Sequence, residues 1–209
     1  IATSEPNSGK SIVALGLMKI LLERTPKVGY FRPIINDVQL EEKDNHLNTV
    51  ISHFNLDISH DDAFGFMRSE FVKKLNLGEE GEILNTIIEK YKTLEDKYDF
   101  VIVEGTDFSG GGTAIELDSN ILIAKNLGIP AIIVSSGIGK NMDEFIGDLR
   151  IAYDSFKQKE VEVISVFAFC LLLGGMLGVA LAKVFTGLFT LFGGGFQLVL
   201  GTQVVILRE

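Results

Sequence analysis

The chain is 209 residues long, carries a formal charge of −9 and has a single cysteine, Cys170. That length supports one α/β core, or one core with an appendage. The negative charge leaves no basic stripe for DNA or RNA, so nucleic acid is not expected as a partner. One cysteine excludes an internal disulfide and fits a reducing cytoplasm.

Strands and helices alternate along most of the chain. Residues 1–3 read as a strand that enters a glycine-bearing loop, and Ser11 to Thr25 then carries apolar residues at helical spacing until Pro26. Residues 27–34 read as a strand ending at Arg32 and Pro33. A helix is predicted from Glu41 to Phe54, followed by an exposed loop over 57–64. Residues 81–98 form an amphipathic helix with Ile83, Ile87 and Leu94 on one face. The short apolar run 99–105, bounded by charge and glycine, has the pattern of a buried parallel strand. A helix over 116–127, stopped by Gly128 and Pro130, leads to a second buried strand over 130–137. Asn141 is placed to cap a helix over 142–157, and 160–166 forms the next strand. This alternation predicts an α/β fold with a mostly parallel, doubly wound sheet.

The first loop carries the chemistry. The sequence "SEPNSGKS" matches the phosphate-loop pattern of glycine, four residues, then glycine, lysine and serine or threonine, except that Ser4 stands in the first glycine's place. Gly9 lets the backbone approach a phosphate, and the amides of Asn7, Ser8, Gly9, Lys10 and Ser11 can turn inward at the positive end of the following helix. Lys10 would reach the outer phosphates, and the Ser11 hydroxyl would sit on Mg²⁺. Glu104, at the end of the strand over 99–105, occupies the place where open α/β sheets gather ligands, and it is the predicted second contributor to the metal. The cofactor expected is Mg²⁺ with ATP or another nucleotide, and the ligand a nucleotide or a small anionic metabolite. The glycines at 110–112 admit two roles, close approach to a ligand or a flexible lid.

Residues 1–18, 27–34, 101–108 and 123–134, in this order, resemble the N-terminal domain of long-form bacterial phosphate acetyltransferases, itself similar to dethiobiotin synthetase, an ATP-dependent phosphate-loop enzyme. The resemblance covers about residues 1–165 and implies a phosphate-loop NTPase-like fold, with 166–209 left as an unassigned apolar tail. It implies a regulatory or assembly role beside a C-terminal transferase domain, in a cytoplasmic homo-oligomer. A synthetase-like ligase and a membrane-tethered nucleotide-binding protein are the alternatives. Carried across from the synthetase, Asp44 becomes a further metal-binding acid, and Arg32 stands where the synthetase has a lysine and is read as a phosphate-side cation. Phe167, Ala168 and Phe169 stand where the synthetase has an adenine-holding asparagine.

No nucleophile and base pair is recognisable, so no catalytic residue is assigned. His46, His53 and His60 recur every seven residues but are read as solvated, as are Glu5 and Asp107. The tail departs from the rest: all but three charged residues precede Val163, and the 20 residues from Val163 to Ala182 and the 24 from Val184 to Leu207 are uncharged. Length and hydropathy allow a membrane hairpin, a buried segment of a larger assembly, or a sequence that departs from the natural chain here.

Overall fold

A computed structural model of the chain describes residues 1–3, 5, 8–39, 42–106, 113–169, 197–200 and 203–206. Its strands are β1 (Ala2–Thr3), β2 (Val28–Ile35), β3 (Phe64–Met67), β4 (Phe100–Val103), β5 (Ala131–Ser136), β6 (Val163–Phe169), β7 (Gln197–Leu200) and β8 (Gln203–Ile206). Its helices are α1 (Lys10–Leu22), α2 (Asn45–His53), α3 (Arg68–Asn76), α4 (Glu80–Glu95), α5 (Thr113–Leu127) and α6 (Met142–Gln158).

Two parallel three-stranded ladders, β3-β2-β4 and β1-β5-β6, meet at Ile1. The Ile1 nitrogen donates to Val103 O at 2.6 Å, and Gly105 N donates to Ile1 O at 2.8 Å. These two bonds join the ladders into one sheet ordered β3-β2-β4-β1-β5-β6. From β1 the chain crosses to β2 in one direction, and from β4 it crosses to β5 in the other. Right-handed crossovers therefore place α1 on one face and α4, α5 and α6 on the opposite face. Side-chain packing agrees with that placement. Val13 of α1 packs with Val134 and Phe167, whereas α4 lies on α5 and α5 on α6. The larger core gathers Met18, Tyr30, Phe31, Ile34, Leu47 and Ile87, all essentially inaccessible to solvent.

Several boundaries differ from those expected. β2 continues through Pro33 to Ile35. Arg32 N donates to Ala63 O at 2.8 Å on the β3 side, so the missing amide of Pro33 falls on the β4 side, where pairing ends with Glu104 N on Phe31 O at 2.9 Å. Proline is tolerated there because no ladder bond is lost. α2 begins at Asn45, not Glu41, because the Asp44 side chain caps it by accepting from Leu47 N at 2.7 Å. The expected capping by Asn141 is present as a full capping box with Glu144. β3 and α3 were not foreseen, and Phe64 of the supposed exposed loop opens β3. The uncharged run that starts at Val163 opens as a strand, β6, paired in parallel with β5. β7 and β8 form an antiparallel hairpin. Among the described residues no helix is long and apolar enough to cross a membrane, and residues 170–196 of the tail lie outside them.

Two glycines test this packing in opposite directions. A Cβ at Gly65 would stand 2.5 Å from the Pro33 carbonyl oxygen, a backbone atom that cannot step aside, whereas at Gly147 in α6 it would meet nothing within 4 Å. Gly65→Ala should cost about 1–3 kcal/mol. Gly147→Ala should stabilise by roughly 0.5–1 kcal/mol. Urea unfolding of the two variants beside wild type measures both signs.

Candidate phosphate-binding site

The opposed crossovers at β1 and β4 create a crevice at the carboxyl ends of these neighbouring strands, where ligands of open α/β sheets bind. β1 delivers the loop that ends in Gly9, and β4 delivers Glu104. Gly9 adopts φ 89° and ψ 10°, a left-handed turn natural to glycine, and it precedes α1 without any side-chain cap. Ile12 N and Val13 N donate to Gly9 O at 3.0 and 3.2 Å, which starts the helix at the glycine turn, and the positive end of the helix dipole there is suited to an anion. Asn7 lies outside the described residues, as do Ser4, Asp107 and the glycines at 110–112.

Glu104 is fully buried and receives four donors. Lys10 Nζ at 2.6 Å and Ser11 Oγ at 3.0 Å share its Oε1. Tyr30 OH and His46 Nε2, the latter at 3.1 Å, share its Oε2. Burial alone would raise the Glu104 pKa. The hydrogen bond from His46 and the charges of Lys10 and Arg32 outweigh burial and hold the carboxyl well below its ordinary value of 4.5. Tyr30 shifts the other way: burial, then the Glu104 charge and its hydrogen bond, push the phenol well above its ordinary value.

A second buried pair lies alongside. Arg32 Nη1 reaches Asp44 Oδ1 at 3.2 Å, and Asp44 N donates to His60 Nε2 at 3.1 Å. The Arg32 Nε is buried and has no hydrogen-bond partner among the described residues. An unpaired guanidinium N–H in such a place is costly, and an anionic ligand atom would satisfy it. Beyond Asp44 and His46 opens a polar groove of about 720 Å³ that Asn36, Gln39, Asn45 and Asn48 also line.

Lys10, Ser11 and Glu104 thus meet, with Gly9 turning the chain just before them, whereas Ser8 bonds Thr3 and Asp44 faces Arg32 in the contacts described. No group of three or more His, Cys, Asp or Glu side chains among the described residues is arranged to hold a metal. Mg²⁺ beside phosphates needs only one or two protein oxygens, the remainder being phosphate and water. A serine hydroxyl and a carboxylate 3.0 Å apart fit that demand.

Three residues read as solvated are engaged. His46 bonds Glu104, and the His60 side chain is 8 % exposed and accepts from Asp44 N. Glu5 accepts from Ser136 N at 2.6 Å and pairs with Lys140. His53 is exposed, as expected. Tyr30 was missed, although strand alternation places it on the same face as Arg32, two residues on.

The sheet, the loop entering α1 and the acid ending β4 define a phosphate-loop, NTPase-like α/β domain. The chain belongs to the AAA domain family, whose model matches residues 1–171. It is similar to a phosphate acetyltransferase of Nitratidesulfovibrio vulgaris, 39 % identical over 165 residues that cover 79 % of this chain and 23 % of that protein. A phosphate acetyltransferase of Synechocystis is 34 % identical over 166 residues, 79 % of this chain and 24 % of the relative. The ATP-dependent dethiobiotin synthetase of Bacillus subtilis subsp. natto is 23 % identical over 141 residues, 65 % of this chain and 59 % of the synthetase. The chain therefore spans about a quarter of the length of the phosphate acetyltransferases it matches.

The depressed pKa of Glu104 has a signed consequence for stability. Its contribution is fully present above the unfolded value near 4.5 and is lost as pH falls through the lower folded value. Urea unfolding between pH 7 and pH 3 should show wild type far more stable than Glu104→Gln at neutral pH, by about 3 kcal/mol. The gap should narrow below pH 4.5, and a constant gap would mean that the ionised carboxylate contributes nothing.

Proposed function

We propose that this chain is a regulatory or assembly domain of a phosphate acetyltransferase-like protein, binding Mg²⁺ with ATP or another nucleotide, or a small phosphorylated metabolite. The observation that carries this reading is the meeting of Lys10, Ser11 and Glu104 at the crevice between β1 and β4, beside the left-handed turn at Gly9. Lys10 Nζ and the α1 amides would hold the phosphates, and Arg32 would supply a second cation. Ser11 and Glu104 would hold Mg²⁺, whose charge lets a carboxylate and phosphates share one site. For this to happen Lys10 must exchange Glu104 for a phosphate oxygen, so binding and rearrangement of the buried pair are one event. Differential affinity for two states of a neighbouring transferase domain would convert occupancy into regulation. Residues 1–165 form the phosphate-loop domain in this reading, in a cytoplasmic homo-oligomer.

Calorimetry with Mg·ATP tests the reading. Lys10→Ala should bind at least about tenfold more weakly than wild type, with circular dichroism confirming that the variant folds. Glu104→Gln should lose most of the Mg²⁺ dependence. Equal affinities in wild type and Lys10→Ala would remove the phosphate loop from the site.

The similarity to an ATP-dependent synthetase favours a second reading, a ligase in which Lys10 stabilises phosphoryl transfer. ADP release by the purified chain supports the ligase. Binding without turnover supports the regulatory domain. In a thiol-release assay with acetyl-coenzyme A and phosphate, the chain alone should show no turnover above a no-protein control.

A further inference from the structure

The phosphate loop contains a carboxylate of its own. Glu5 is the one acid between β1 and Gly9, and an unrestrained carboxylate there would oppose a polyphosphate. Its side chain is 19 % exposed and is turned onto the end of β5. Oε1 accepts from Ser136 N at 2.6 Å and lies 3.3 Å from Ser135 Oγ, while Oε2 pairs with Lys140 Nζ. The backbone of the same residue is fixed by Thr3, whose Oγ1 donates to Glu5 O at 2.6 Å and accepts from Glu5 N at 3.1 Å. Thr3 Oγ1 also lies 2.7 Å from Ser8 Oγ, so the fixed acid and the loop's later residues share one anchor.

β4 and β5 flank β1 on opposite sides, so Glu104 and Glu5 are drawn to opposite flanks of the loop. Lys140 precedes α6 and is itself bonded to Asp148 Oδ2 of that helix at 2.7 Å. It thus stands between two acids. Without it, Glu5 and Asp148 would repel each other, and Glu5 would leave its place on β5 for solvent.

We propose that Lys140 is a positioning residue for the phosphate loop, neutralising Glu5 and seating it on the β5 end so that the loop is held in shape and its anion-binding side is kept free of negative charge. The anion part of this inference rests on the phosphate-binding reading above, and the seating of the loop does not. Lys140 also ties the loop to the start of α6, a segment that neither Lys10 nor Glu104 touches in any bond described.

Hydrogen exchange without ligand and calorimetry with inorganic tripolyphosphate and Mg²⁺ test it on wild type, Lys140→Met, Lys140→Arg, Glu5→Gln and the double variant Glu5→Gln/Lys140→Met. Lys140→Met should speed exchange over residues 3–11 by about tenfold. Lys140→Arg should stay near wild type. The double variant should regain protection, because a neutral amide still accepts from Ser136 N and no longer needs a cation. Tripolyphosphate affinity should follow the same order, lowest in Lys140→Met and restored in the double variant. Equal exchange in Lys140→Met and wild type, or a double variant as unprotected as Lys140→Met, would overturn the proposal and leave the pair a surface contact. Failure of wild type to bind tripolyphosphate would sink the phosphate-binding reading, while the exchange series would still decide the role of Lys140.

Discussion

Everything at the crevice turns on one carboxylate taken out of water. Glu104 is fully buried, and ionising it there is unfavourable unless its oxygens are satisfied. Lys10, Ser11, Tyr30 and His46 supply the donors from three parts of the chain: the start of α1, the middle of β2 and the start of α2. The buried Lys10–Glu104 pair is a poor device for stability alone, since an apolar pair of the same volume often does as well or better. Its place at a glycine-turned helix start would suit it to the phosphate binding proposed above. A lysine already desolvated beside its acid pays little further desolvation when a phosphate replaces that acid as its partner.

The position of that carboxylate follows from topology. Among the described residues two hydrogen bonds at Ile1 unite the β3-β2-β4 and β1-β5-β6 ladders, and they set β4 beside β1 and so put Glu104 beside the loop. Gly105 keeps the junction tight, because a Cβ there would meet Asn120 Oδ1 at 2.5 Å and Ile1 O at 2.9 Å. Asn120 in turn clasps Thr106 through both its backbone groups, at 3.0 and 3.1 Å, and fixes α5 to the end of β4. The chain segment that leaves the site is therefore anchored by a helix from the opposite face to α1.

Local signals made much of this legible in the sequence. Lys10 and Ser11 follow a glycine at the start of an apolar helix, Glu104 ends an apolar run, and Asn141 stands three residues before Glu144, so each could be placed from its neighbours. Tyr30, His46, His60 and Glu5 could not, because their partners are 74, 58, 16 and 131 residues away and only tertiary packing brings them together. Acids and histidines in an anionic chain carry no mark that separates a solvated side chain from a bonded one. β3 and α3 were hidden for a different reason. Four residues with a glycine among them, running directly into a nine-residue helix rich in charge, show neither strand alternation nor a strong apolar face.

The charges of the crevice also constrain what can enter it. Lys10 and Glu104 neutralise each other, and so do Arg32 and Asp44, which leaves this buried quartet without net charge. A polyphosphate arriving alone would gain Lys10 only by stranding Glu104, and the penalty for an unpaired buried carboxylate would offset the new contact. Under the proposed reading, a cation arriving with the phosphates would remove that penalty by taking Lys10's place at Glu104, with Ser11 already 3.0 Å from the same oxygen. Anion and cation would thus be admitted together or poorly. Arg32 would escape this exchange, because its Nε–H could donate to an anion while Nη1 keeps Asp44, so that it would hold a ligand without breaking its ion pair.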